Sequence, residues 1–347
     1  MRDWIIIVAL AALAFFGLRR CGCFSSSPQA SAGEEESAVP ADRDAARQVK
    51  LQQVAEGTSE PAGAPVSAAE QGRRQELARL TSRLLAGSDQ EALDRVRGLA
   101  GPESSEPLRQ LAGAVLAAFG ADRITAWRGL TNVYEADLVA GSERAQMLAQ
   151  TERLARLALR KPELSVVYTV VPGDSLARIR RKVREQHSIN VSPGLLRWLN
   201  ELRGDTIYPD QELRVPREPV ELWVSLQTFR LRVYLSDGLI KEYPIGLGKD
   251  DRTPAETFVL KAPLEKAPWK DPVSGKIYHY GDPEYAIGTR WIGFEPKGPH
   301  GGLGIHGTNE PESIGKAESL GCIRMRNEHV EELADLVAPG LSIQIVD

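Results

Sequence analysis

Two separated residues carry the most chemistry in the chain: His306, in Gly304-Ile305-His306-Gly307-Thr308-Asn309, and Cys322, in Glu318-Ser319-Leu320-Gly321-Cys322-Ile323-Arg324-Met325-Arg326-Asn327. A thiolate attacks acyl carbon readily, but a free cysteine is mostly protonated at neutral pH and needs a base. An imidazole within hydrogen-bond reach can take the thiol proton and return it to a leaving amine. Small residues beside the nucleophile, Gly321 above all, let a substrate carbonyl approach backbone N–H groups that hold a developing oxyanion. The other cysteines, Cys21 and Cys23, sit far away beside an apolar stretch, so the three make no disulfide framework. Cys322 is then either an inert buried thiol or a nucleophile. A metal site built from His300, His306 and Cys322 lacks compact ligand spacing and a carboxylate pattern, so neither metal nor cofactor is expected.

The elements around these motifs read as β structure. From Val220 to Asp347, apolar residues alternate at Leu222, Val224 and Leu226 and again at Leu231, Val233 and Leu235, with Asp237-Gly238 at a hairpin turn. Ile240 to Ile245 and Phe258 to Leu260 supply further strands, and glycine and proline crowd the stretch from Pro263 to Gly304. Near the end Asn327 caps a short helix carrying Val330, Leu333 and Leu336, Pro339-Gly340 stops it, and Leu341 to Val346 makes a last strand. Tyr278, His279, Tyr285, Trp291 and His300 either line a groove or pack the long loops.

This pair of motifs resembles the active-site signature of the L,D-transpeptidase catalytic domain, the YkuD-like family. The interval, 322 − 306 = 16, fits the family's spacing. The resemblance runs over Val220 to Asp347 and includes Thr253-Pro254 with Phe258, Ile287-Gly288-Thr289-Arg290-Trp291 and Ser313-Ile314-Gly315-Lys316. It departs at Leu320, where many members have histidine, and at Glu256, which replaces a glycine. The resemblance implies Cys322 as nucleophile and His306 as base. It makes the Gly321 and Cys322 backbone the oxyanion donors and the Gly307 carbonyl the group that orients the imidazole. Ser319 and Arg324 shape the site or contact the peptide. The implied reaction is attack on the stem-peptide amide between residues three and four of peptidoglycan, release of D-alanine, and transfer of the acyl group to an amine of another stem in a 3-3 cross-link. An L,D-carboxypeptidase, a cross-link hydrolase and a catalytically silent wall-tethering protein remain open alternatives.

Ahead of this domain, Tyr168 to Pro216 reads strand, helix, helix, strand: a short strand at Tyr168, a Pro172-Gly173 turn, a helix with Leu176, Ile179 and Val183 capped by Asp174 or Ser175, a helix with Leu195, Leu196 and Leu199, and a strand with Leu213 and Val215. The segment resembles the LysM family in Gly173-Asp174-Ser175-Leu176, Leu199-Asn200, Ile207-Tyr208-Pro209 and Gln211-x-Leu213-x-Val215-Pro216. Asp210 stands where the family has glycine, and the stretch between the helices is longer. The resemblance implies glycan binding through Gly173, Asp174, Ser175, Asn200, Tyr208 and Pro209, with peptidoglycan as partner.

The 347 residues therefore read as a multidomain chain: a membrane anchor or signal-anchor over 1–24, a disordered linker over 25–72, an α-helical region over 73–163, a small βααβ LysM domain over 166–217, and a mainly-β catalytic domain with a short C-terminal helix over 220–347. The apolar run Trp4 to Leu18 lacks a nearby small-residue cleavage site, which favours an uncleaved anchor over a signal peptide. The linker is rich in Ser, Ala, Pro, Gly and Glu and cannot form a core. In the helical region Leu77, Leu80 and Leu84, then Leu108, Leu111, Val115 and Phe119, recur at helical spacing, with breaks at Gly87, Gly101-Pro102 and Gly120. A net charge of -4 and a pI near 5.9 give no field for nucleic acid. The expected setting is the cell envelope, with the chain held to the cytoplasmic membrane by its N-terminal helix and the catalytic domain outside the cytoplasm. The oligomeric state is not legible.

Overall fold

The computed structural model describes residues 67–347 apart from positions 88, 121 and 138–140. The expected anchor over 1–24 and all but the end of the linker lie outside the described residues, and among the described residues no helix is long and apolar enough to cross a membrane.

Five helices come first: α1 (Ala68–Ala86), α2 (Gln90–Leu99), α3 (Glu106–Gly120), α4 (Arg123–Glu135) and α5 (Gly141–Ala158). Leu77, Leu80 and Leu84 form the buried face of α1, as their spacing requires. Gly87 follows α1, and Gly101-Pro102 separates α2 from α3. Ser67 caps α1 by accepting from the Glu70 N–H, and Asp89 and Asp122 cap α2 and α4 in the same way. Helix α1 thus begins at Ala68, inside the stretch expected as linker, because the cap and the packing of Leu77 and Leu80 outweigh the polar composition of its first turn.

The LysM segment follows as β1 (Ser165–Thr169), α6 (Leu176–His187), α7 (Pro193–Leu199) and β2 (Glu212–Pro216). Strands β1 and β2 are antiparallel, from Ser165 opposite Pro216 to Thr169 opposite Glu212. The first strand starts upstream of Tyr168 because β2 offers five residues to pair.

The catalytic region contains β3 (Glu221–Ser225), β4 (Arg230–Leu235), β5 (Gly238–Pro244), β6 (Leu247–Gly248), β7 (Thr257–Val259), β8 (Leu264–Glu265), β9 (Trp269–Lys270), β10 (Ile277–Tyr278), β11 (Arg290–Gly293), β12 (Gly304–His306), β13 (Ala317–Ser319), β14 (Ile323–Arg324), α8 (Asn327–Leu336) and β15 (Ser342–Val346). A five-stranded sheet runs β5-β4-β3-β15-β7 and a four-stranded sheet runs β14-β12-β11-β8. A Leu260–Phe294 bridge joins the ends of β7 and β11. The β4–β5 hairpin turns at Ser236 and Asp237, both at positive φ (49° and 66°), with Leu235 opposite Gly238. The expected Asp237-Gly238 turn is therefore displaced by one residue. Gly238 serves another purpose: a Cβ there would lie 2.1 Å from a ring carbon of Trp127 on α4.

Trp127 is fully buried and donates through Nε1 to the Leu239 carbonyl at 2.9 Å, while Thr131 Oγ1 accepts from the Leu239 N–H at 3.0 Å. Helix α4 thereby satisfies backbone groups of the edge strand β5, which would otherwise face water or another chain. Glu242 on β5, also buried, accepts from Tyr134 Oη at 2.9 Å, Arg144 at 3.1 Å and Arg232 at 2.8 Å. Tyr134 and Arg144 come from the helical region. The LysM segment is joined as closely, since Asn190 donates to the Pro339 carbonyl at 2.6 Å and Arg197 pairs with Asp335 at 2.7 Å. Gly194 sits so near α8 that a Cβ would meet the Asp335 carbonyl at 2.2 Å. One hydrophobic core runs through all three regions, from Trp127 and Leu159 through Leu195 and Leu213 to Ile305 and Leu333.

Candidate active site

His306 closes β12 and Cys322 immediately precedes β14. The two strands are parallel neighbours, with Ile305 opposite Ile323 and His306 opposite Arg324. Successive side chains in a strand point to opposite faces. Ile305, Ile323 and Met325 are fully buried in the core, so the opposite face carries His306, Arg324 and, one step back across from Gly304, Cys322. Strands about 4.8 Å apart that advance about 3.3 Å per residue place the two backbones about 8 Å apart, a gap that an imidazole and a thiol span together.

The backbone around Cys322 is fixed from below. Gly321 has φ +130°, and a Cβ there would lie 2.9 Å from the Arg252 carbonyl oxygen, so both conformation and space require glycine. Thr253, buried, accepts from the Gly248 N–H at 2.8 Å and donates to the Gly321 carbonyl at 2.9 Å. In a trans peptide the N–H points away from the carbonyl, so this bond turns the Cys322 N–H away from Thr253. Ser319 Oγ donates to the Cys322 carbonyl at 2.6 Å and accepts from the Gly321 N–H at 3.1 Å. Of the two expected oxyanion donors, the Gly321 N–H is already engaged and the Cys322 N–H is the one turned outward.

His306 Nδ1 lies 2.6 Å from the Gly307 carbonyl. A carbonyl only accepts, so Nδ1 carries the proton and Nε2 presents the lone pair. Trp291, opposite His306 on β11, stacks on the imidazole with centroids 5.8 Å apart and planes at 25°. Asn327 holds the loop after the histidine, accepting from the Thr289 N–H at 3.1 Å and donating to the Thr308 carbonyl at 3.1 Å. It is not the helix cap read from sequence: Arg326 occupies that position and Asn327 is the first helical residue. A Cβ on Gly307 would meet Asn327 Oδ1 at 2.2 Å, which explains the glycine after the histidine.

Burial lowers the His306 pKa to about 4, against the pull of the Gly307 carbonyl and reinforced by Arg324. Burial also raises the Cys322 thiol to about 11, although the Gly304 N–H and Arg324 both favour the thiolate. Both shifts favour thiol and imidazole over an ion pair near neutrality, since burial penalises the charged forms. The thiol points at the Gly302 carbonyl, 3.8 Å from Sγ. Arg324 pairs with Glu310 at 2.9 Å. Leu320, two residues before Cys322, is 46% exposed.

The other residues singled out by sequence divide. Tyr278 stacks on Trp269, Tyr285 donates to the Ala267 carbonyl at 2.7 Å, and His300 lies 3.4 Å from Glu256. In the LysM segment Ser175 caps α6 by accepting from the Arg178 N–H, and Gly173 takes φ +84° in the turn. Asp174 accepts from Tyr168 Oη, the Val171 N–H and Lys182; burial alone would raise its pKa, but these three donors hold it at about 2. Asn200 bonds Arg214 through both its N–H and C=O. Asp174 and Asn200 therefore use their polar atoms inside the fold, and the exposed candidates are Gly173, Ser175, Tyr208, at 66% exposure, and Pro209. Asp210 has φ +65°, the conformation that glycine takes most easily. Two positioning residues, Thr253 and Asn327, had no signal of their own beyond a threonine inside the family motif and an asparagine ahead of a helix.

The sequence profile of the L,D-transpeptidase catalytic domain matches residues 219–345, and that of the LysM domain matches residues 168–216. The YkuD protein of Bacillus licheniformis, assigned as an L,D-transpeptidase, is 33% identical over 189 residues, covering 52% of this chain and 98% of that protein. The Bacillus subtilis protein YqjB, assigned the same activity, is 37% identical over 143 residues, 41% of this chain and 78% of its own. With a relative matched along nearly its whole length, and with His306 and Cys322 brought to one face of β12 and β14, the chain belongs to the YkuD-type L,D-transpeptidase family and carries a LysM domain ahead of its catalytic domain.

Proposed function

We propose that Cys322 is the nucleophile and His306 the base of a peptidoglycan L,D-transpeptidase. The observation that carries this is the single face shared by His306 and Cys322, with Nδ1 held by the Gly307 carbonyl and Nε2 left basic. Sγ attacks the carbonyl carbon of the third stem residue while its proton passes to Nε2, and the Cys322 N–H receives the developing oxyanion. The C–N bond breaks, the imidazolium returns its proton to the amine of the departing D-alanine, and a thioester remains. The amine of a second stem then attacks the thioester, Nε2 takes its proton, and the thiol is restored. Because the free site is neutral, proton transfer accompanies attack instead of preceding it.

Exposed Tyr208 and Pro209 beside the Gly173 turn support glycan contact by the LysM domain, which would hold the enzyme on the wall. The apolar run Trp4 to Leu18 supports attachment to the cytoplasmic membrane with the catalytic domain outside the cytoplasm. The test is incubation of the full chain with purified muropeptides, followed by mass spectrometry. Cross-linked dimers with loss of D-alanine are expected, and Cys322→Ser should abolish them. Shortened stems alone would indicate a carboxypeptidase. Intact stems throughout would indicate a silent tether.

A further inference from the structure

The loop 297–303 reaches the nucleophile but has little means of holding itself. Glycines occupy positions 298, 301 and 302, two of them at positive φ (52° at Gly298 and 83° at Gly302). At its near end the Gly302 carbonyl faces Cys322 Sγ at 3.8 Å, and Leu303 Cδ2 lies 3.0 Å from where a Cβ of Gly321 would be. The Gly304 N–H, next along, favours the Cys322 thiolate. At its far end the anchoring side chains converge on one residue. Lys297 Nζ is 2.8 Å and His300 Nε2 is 3.4 Å from the Glu256 carboxylate. Lys297 also donates to the Thr257 carbonyl at 3.1 Å and lies over the Phe258 ring, while the His300 ring meets Phe258 edge-on.

Glu256 itself is fixed, since its carbonyl accepts from the Ile345 N–H at 3.0 Å on β15 of the large sheet. It is also the residue that departs from the family's glycine, which could not reach the loop. We propose that Glu256 is a positioning residue that fastens loop 297–303 to β7 and so sets the Gly302 carbonyl and Leu303 against the Gly321-Cys322 segment. This rests on Cys322 being the nucleophile. Exposed ion pairs shift populations only modestly, so the effect belongs in the placement of the loop and not in global stability.

The experiment compares the full chain with Glu256→Gly, Glu256→Gln and a Glu256→Gly/Lys297→Met/His300→Gln triple variant, reading turnover on muropeptides, alkylation of Cys322 by iodoacetamide, and thermal melting. Releasing the loop should lower kcat roughly tenfold, because a displaced site loses its attack geometry. It should also raise the alkylation rate about threefold or more as the thiol loses its cover. Melting should stay within a few degrees. Glu256→Gln, which keeps an acceptor, should recover part of both changes, and the triple variant should add nothing to Glu256→Gly. Turnover and alkylation that both match the parent would overturn the proposal, as would both falling together with the melting temperature. Alkylation needs no substrate, so it decides the matter even if the parent proved inactive on muropeptides.

Discussion

At the scale of residues, the proposed chemistry starts from a neutral imidazole and a neutral thiol. Burial lowers the His306 pKa to about 4 and raises that of Cys322 to about 11, which favours a free imidazole and a protonated thiol between those values. Turnover should accordingly hold from neutrality down to about pH 5 and fall as His306 takes up a proton near pH 4. Alkylation of Cys322 in the free enzyme should be slower at pH 7.5 than that of a model thiol and should climb toward pH 11. His306→Ala should reduce turnover by roughly 10² to 10⁴, the usual contribution of a placed general base. A pH–rate profile of both proteins decides the point, and an acid limb unchanged in the variant would remove His306 from the mechanism.

At the scale of elements, short strands do the positioning and side chains from distant segments lock them. Two strands of two and three residues have little stability of their own. They persist because β12 is paired on both sides and because Thr253 ties Gly248 to Gly321. Thr253→Val keeps the shape but leaves the Gly248 N–H and the Gly321 carbonyl without a partner, at about 1–3 kcal/mol. The variant should melt lower, and its kcat should drop while KM hardly moves, since the Gly321-Cys322 peptide is free to rotate. Steady-state kinetics beside a melting curve checks this. Unchanged kcat would mean that packing alone fixes the Cys322 N–H, the proposed oxyanion donor.

At the scale of the whole described molecule, the three regions share one core, so they do not behave as independent beads. Removing the LysM segment would expose α8 as well as end any glycan contact. A substitution at exposed Tyr208 is therefore the cleaner probe of wall binding. The same coupling makes Gly238 informative. Gly238→Ala would drive a methyl group into the Trp127 ring and should destabilise the protein by about 1–3 kcal/mol, the usual range for overpacking. Combining it with Trp127→Phe should restore part of the loss. A double-mutant cycle by denaturant unfolding reads that coupling, and simple additivity would show that the helical region is not seated on β5 as described.

Much was legible in the residues themselves. Period and punctuation in the helical region placed the breaks at Gly87, Gly101-Pro102 and Gly120, and the alternation of Leu222 to Leu235 placed a hairpin, because such patterns are local consequences of chain geometry. The sixteen-residue interval marked His306 and Cys322 as candidates, and the structure sets both on one face of β12 and β14, with His306 Nδ1 2.6 Å from the Gly307 carbonyl. The sequence could not tell why a glycine is there: Gly238 reads as a turn residue until Trp127, more than a hundred positions earlier, is seen against it. Nor could it separate ligand contacts from internal bonds, since Asp174 and Asn200 have the same chemistry in either role and only their partners decide. The protonation balance of His306 and Cys322 was likewise decided by the tertiary structure, because burial, which lowers the one pKa and raises the other, depends on every segment that closes over a group.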